Sequence, residues 1–85
     1  MEENENILFE EFDKQVKVYI SQSSDILADE MLGGIALMGF IGHLKQHWLK
    51  ATQEDLDQLV ISRPQYELML DRIVQRIMDK YMKFG

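Results

Sequence analysis

Residues 31–42 read MLGGIALMGFIG, twelve residues without a charge and with four glycines among them. The run is shorter than the roughly 20 residues that a membrane-spanning helix needs, so we expect no membrane span. As a helix it has no polar face, and a helix without a polar face must be covered on all sides. Two explanations fit: the rest of the chain wraps a central helix, or a second copy of the chain completes the cover.

The chain has 85 residues, which we interpret as a single helical domain over residues 1–85. A domain of this size buries only roughly 60–65% of the surface that its unfolded chain exposes, so the core is thin. The sequence contains no cysteine, which excludes disulfides, thiolate nucleophiles and cysteine-based zinc sites.

Acidic residues are concentrated at the N-terminus, and this distribution limits the classes of partner. Residues 1–13 hold six of the fifteen acids and none of the nine bases, so the remaining nine acids balance the nine bases. A body without net positive charge argues against nucleic-acid binding. A secretory signal begins with positive charge, so this acidic start favours a cytoplasmic protein. We expect residues 1–6 to be a frayed acidic end.

Apolar spacing and capping residues predict four helices and no strand. The first helix covers about Glu5–Ser21, and the second extends from after Ser24 to about Lys50. The third covers Gln53–Ile61, with Leu56, Leu59 and Val60 pointing inward. The last begins at the Ser62 cap and Pro64 and extends to about Lys83. The predicted fold is therefore all-α, a bundle of three to four helices with a central, buried, glycine-containing helix.

The four glycines cost helix stability, about 0.8–1.0 kcal/mol each relative to alanine. We therefore expect a kink or break at Gly33–Gly34, and a groove at Gly39 and Gly42 against which a neighbouring helix packs closely.

Signals for chemistry are weak. His43 and His47 have the four-residue spacing of metal ligands on a helix, but no third histidine and no cysteine completes a site. We predict no catalytic residues, no cofactor and no metal. The alternative is a small-molecule or metal-binding helical domain that uses the groove near Gly39 and Gly42, with His43 and His47 at its mouth.

The function that remains is binding to another protein. We predict a non-enzymatic interaction module, a homodimeric regulator, inhibitor or accessory subunit, without a nucleic-acid or membrane partner. Arg72, Arg76, Lys80 and Lys83 form a basic stripe on one side of the last helix, which we interpret first as a solvated face of an amphipathic helix. The alternative is a docking site for an acidic group, and the nearest one is the acidic N-terminal arm, within one chain or across a dimer. The candidate interaction residues are Phe9, Phe12, Gly34, Gly39, Gly42, Trp48, Arg72, Arg76, Lys80 and Met82.

Overall fold

Three long helices and two short ones make up the computed structural model, which describes residues 2–81. The helices are α1 (Glu2–Gln22), α2 (Ser24–Leu27), α3 (Glu30–Leu49), α4 (Gln53–Gln58) and α5 (Arg63–Tyr81). No strand occurs within residues 2–81, so the all-helical prediction is confirmed for this range. α1 starts at Glu2 and includes residues 2–6, for which the sequence predicts a frayed end.

The core lies between the three long helices, which all contact one another. Its buried apolar residues are Phe12, Val16, Leu37, Ile41, Leu44, Leu56, Tyr66, Met69, Leu70, Ile73 and Ile77. α3 contributes three of them and is one wall of the core, not an element wrapped by the others. The predicted central buried helix is therefore not confirmed, because α1 and α5 cover one side of α3.

The break before α3 falls at Ala28 and Asp29, so the predicted break at Gly33–Gly34 is wrong. Asp29 is the N-cap of α3, and its carboxylate accepts hydrogen bonds from the backbone N–H groups of Met31 (2.9 Å) and Leu32 (2.8 Å). A carboxylate in this position satisfies N–H groups that have no partner within the helix. α3 then continues through both glycines without interruption.

The C-terminal end of α3 is closed by two side chains of α5. The Arg63 guanidinium donates to the carbonyls of Leu49 (3.1 Å) and Ala51 (2.6 Å), and the Tyr66 hydroxyl donates to the carbonyl of Trp48 (2.8 Å). Burial raises the pKa of Tyr66 above its usual value. Arg63 thus gives the Leu49 and Ala51 carbonyls a side-chain donor. Tyr66 adds a second donor to the Trp48 carbonyl, which also accepts from the Ala51 N–H (3.1 Å).

α4 begins as the sequence predicts and ends earlier. Thr52 and Asp55 form the expected capping box. The helix stops at Gln58, and Val60 has a φ of 54° and is 90% exposed, so its predicted inward orientation is wrong. The N–H groups of Val60 and Ile61 bond back to the carbonyls of Asp57 and Leu56, which is the Schellman ending, with valine where glycine is usual.

Among the helices of residues 2–81, none combines the length and the apolar character that crossing a membrane requires.

Candidate interaction surface

One side of α3 is apolar and lies in contact with solvent. Met31, Leu32, Ile35 and Met38 are each more than half exposed, although each is a large apolar residue. Positions three and four apart share one face of a helix, so these side chains lie together. Gly39 and Gly42 continue the same side toward the C-terminus, and both are exposed. We name these six residues the α3 face.

The glycines of the α3 face are not explained by packing inside the chain. A Cβ atom added at Gly39 or Gly42 would meet no atom within 4 Å. The expectation that a neighbouring helix of the same chain packs against them is therefore wrong. Each costs about 0.8–1.0 kcal/mol of helix stability without a contact that needs it. Gly34, which is half-buried and beside the face, also has open space around its Cβ position.

The predicted aromatic contact residues belong to the core and its edge. Phe12 is fully buried, and its ring meets the half-buried Trp48 ring edge-on with the centroids 5.2 Å apart. Phe9 is half-buried beneath the Arg76 guanidinium, which lies 3.9 Å from the ring centroid. Neither phenylalanine is presented as a free contact surface.

The basic stripe meets the acidic arm within one chain, which is the alternative to the solvated face that the sequence favours. Arg72 Nε donates to Glu5 Oε1 (2.7 Å), Arg76 Nη1 donates to Asn6 Oδ1 (3.3 Å), and Lys80 Nζ donates to Asp13 Oδ2 (2.8 Å). The three bases therefore join α5 to α1, although their side chains remain partly exposed. Met82 and Lys83 lie outside the described residues.

Asp13 is the buried charged residue in the described part of the chain. Its carboxylate accepts hydrogen bonds from Lys80 and from the Tyr81 hydroxyl, and forms an ion pair with Lys17 (3.3 Å). Burial alone raises the pKa of Asp13, but the three donors outweigh burial and leave this pKa below its usual value. The pKa of Lys80 is raised by its hydrogen bond to Asp13. These contacts fix the Asp13 carboxylate between α1 and α5, so we assign Asp13 a structural role.

The two histidines lie apart from any cluster of ligands. Both are exposed on α3, and the described residues contain no group of three histidine, cysteine, aspartate or glutamate side chains that could hold a metal ion. His47 borders an open depression with Trp48, Asp55 and Tyr66. The structure therefore adds no third ligand to the pair that the sequence singles out.

A groove between α1 and α3 was not anticipated from the sequence. It has a volume of about 300 Å³ and is lined in part by Val18, Tyr19, Gln22 and Phe40. The rings of Tyr19 and Phe40 stack at 4.2 Å, and the Tyr19 hydroxyl donates to the Ala36 carbonyl (3.4 Å). No local pattern links residues 21 positions apart, so only the packing of α1 on α3 brings these two rings together.

The sequence matches no protein-family model, and no curated protein and no solved structure shows significant similarity to it.

Proposed function

We propose that this protein is a non-enzymatic helical interaction module that forms a homodimer through the α3 face, in the manner of a small regulator, inhibitor or accessory subunit. The observation that carries the proposal is the α3 face itself: four large, exposed apolar side chains beside two glycines whose Cβ positions meet none of the residues that the structure describes. Contiguous exposed apolar patches of this kind typically mark interaction sites.

The energetics favour cover by another protein chain. Burying a leucine, isoleucine or methionine side chain fully contributes about 1.5–3 kcal/mol relative to leaving it exposed. Glycines let a second backbone approach closely, which increases the contact made by the side chains around them. An interface on this face therefore offsets the helix stability that Gly39 and Gly42 cost the isolated chain.

The non-enzymatic part of the proposal is supported by the state of Asp13. Both of its oxygens are engaged, by Lys80, Tyr81 and Lys17, which we interpret as a structural role and not that of a general base. A general base must reach the proton that it removes. The α3 face itself carries no titratable group.

The first prediction tests the face by mutation. Ile35→Glu places a charge at the centre of the α3 face, and burying an unpaired charge is strongly unfavourable. We expect the wild type to have a mass near twice the 10.0 kDa of one chain, and the variant to have the mass of one chain at the same concentration. Light scattering over a concentration series measures both masses.

Leu68→Glu is the matched control, because Leu68 is comparably exposed on α5 and lies outside the α3 face. Far-UV circular dichroism of both variants shows whether the helices are retained. A wild type that stays at the mass of one chain up to millimolar concentration would contradict the proposal. So would a folded Ile35→Glu variant that keeps the mass of the dimer.

A further inference from the structure

The α3 face is tapered along the helix axis. Its bulky side chains occupy the N-terminal part, from Met31 to Met38, and its two glycines, Gly39 and Gly42, occupy the C-terminal part. Two such faces in parallel would set bulky residues against bulky residues and glycine against glycine. Two faces in antiparallel orientation can set Ile35 and Met38 of each copy against Gly42 and Gly39 of the other.

We propose that the occupant of the α3 face is a second copy of this chain, with the two α3 helices antiparallel about a two-fold axis near Met38 and Gly39. In this register, Ile35 of one copy lies over Gly42 of the other. The inference rests on the proposed function, because it specifies the geometry of that dimer. A two-fold interface uses the same patch on both copies, so the patch must be complementary to itself, and the taper meets that condition.

The charges at the two ends of α3 favour the same orientation. Asp25 and Asp29 precede the face and are exposed, whereas the exposed Lys50 ammonium follows it, together with two exposed imidazoles, His43 and His47, that can donate hydrogen bonds. Antiparallel helices bring the acidic end of each copy beside the basic end of the other, and they also align the helix dipoles favourably. Parallel helices would place the aspartates of both copies together.

Carboxylates that come after α3 in the chain are partly engaged in their own helix. Asp55 accepts from the Thr52 N–H (3.0 Å) and Asp57 accepts from the Gln53 side chain (2.9 Å). Lys45, at the edge of the face, pairs with Asp71 of α5 (2.8 Å). In the antiparallel pair, His43, His47 and Lys50 come beside the second copy's Asp25 and Asp29, and that Asp29 also caps its own α3.

The dimensions set the expected strength of the dimer. Twelve residues of α3 are about 18 Å long, which is enough for a helix pair but short for an interface. Stable complexes bury roughly 800 Å² per partner. A contact centred on one helix face therefore predicts dissociation at micromolar concentrations.

The chain contains no cysteine, so single cysteines can be introduced to determine the register. Met38→Cys places a thiol beside the two-fold axis, where it meets its own copy, and we expect it to form a disulfide dimer on oxidation. A cysteine at position 35 lies roughly 10 Å along the helix axis from position 35 of the other copy, which is beyond disulfide reach, and the same holds for position 42. Neither is expected to cross-link alone, and an equal mixture of the two is expected to give the mixed dimer.

Leu68→Cys on α5 is the control for random collision and is expected to remain uncrosslinked. The mass of each variant is first measured under reducing conditions at the concentration used for oxidation. A wild type that keeps the mass of one chain up to millimolar concentration contradicts both the proposed function and this inference. A dimer in which Ile35→Cys and Gly42→Cys each cross-link to themselves is parallel and overturns only the orientation. A dimer in which none of the α3 cysteines cross-links has its interface elsewhere and overturns the inference.

Discussion

Two adjacent glycines at the start of α3 differ in whether there is room for a side chain. A Cβ atom at Gly33 would lie 2.7 Å from the backbone carbonyl oxygen of Leu27, whereas a Cβ atom at Gly34 would meet no atom within 4 Å. Gly33 is thus required where the end of α2 crosses the first turn of α3. Gly34 has no such requirement and only lowers the stability of the helix.

Alanine substitutions at these two positions should therefore have opposite signs. We expect Gly34→Ala to raise the free energy of unfolding by about 0.8–1.0 kcal/mol, because alanine favours the helix and meets no neighbour. Gly33→Ala should lower it by about 1–3 kcal/mol, because the backbone at Leu27 must shift. Urea denaturation at low protein concentration measures both values. An equal effect of the two substitutions would be inconsistent with this placement of α2 against α3.

The helices α1 and α5 are held together by apolar side chains in the core and by ion pairs at its edge. Phe12 and Val16 are fully buried, so the N-terminal helix belongs to the fold and is not an arm added to it. Glu5 and Asp13 then pair with Arg72 and Lys80 along the outside of the same contact. Deletion of residues 1–13 therefore removes part of the core as well as the acids.

Asp13 makes the α1–α5 contact sensitive to acid. Its pKa in the folded state is below the ordinary value of 3.8, so its stabilisation is present above that pH and is lost as the pH falls through the lowered pKa. We expect Asp13→Asn to lower the free energy of unfolding by about 1–3 kcal/mol at pH 7, and the difference from wild type to shrink below pH 4. Denaturation curves at pH 7, 5 and 3 measure the difference.

Asp71→Asn serves as the control, because the Asp71–Lys45 pair is more exposed and is expected to contribute at most about 1 kcal/mol. A difference between wild type and Asp13→Asn that stays constant from pH 7 to pH 3 would contradict the role assigned to the Asp13 carboxylate.

Across the molecule, the two sides of α3 differ in what covers them, and we propose that a second copy covers the side that α1 and α5 leave open. The side facing α1 and α5 carries Leu37, Ile41 and Leu44, and the opposite side carries the α3 face. The molecule measures 41 × 24 × 17 Å, so it is elongated and flat. In this shape α1 and α5 pack on one side of α3 and leave the opposite side in contact with solvent.

The double substitution Gly39→Ala and Gly42→Ala separates stability from association. In the single chain it should raise the free energy of unfolding by about 2 kcal/mol, or the melting temperature by roughly 10 °C, because alanine is the better helix former. In the dimer the added methyl groups hold the backbones apart, so the melting temperature should depend less on protein concentration than in wild type. Calorimetry at 10 and 500 µM measures both effects.

Gly34→Ala is the comparison for this experiment, because it adds the same methyl group beside the α3 face and not on it. We expect it to raise the melting temperature at both concentrations by a similar amount. A double variant that associates as tightly as wild type would show that Gly39 and Gly42 do not lie in the interface.

Features that depend on residues close together in the chain could be predicted from the sequence alone. Apolar spacing located the three long helices, Thr52 to Asp55 identified the capping box of α4, and the uncharged run predicted an apolar surface in need of cover. The acids of residues 1–13 made pairing with the basic stripe one alternative beside a solvated basic face, and the packing of α1 on α5 is what distinguishes the two. Local pattern is sufficient here because capping and helix periodicity act over three or four residues.

Only the tertiary structure decided which side of α3 is covered and where the chain breaks. Asp29, not Gly33–Gly34, starts α3, because a carboxylate cap stabilises the first turn while Gly33 is held against Leu27. Arg63 and Tyr66 close the other end of the helix from 12 or more residues away. The open space at Gly39 and Gly42 could not be predicted from local sequence either. It exists because α1 and α5 pack on the other side of α3, and that choice is made by residues far apart in the chain.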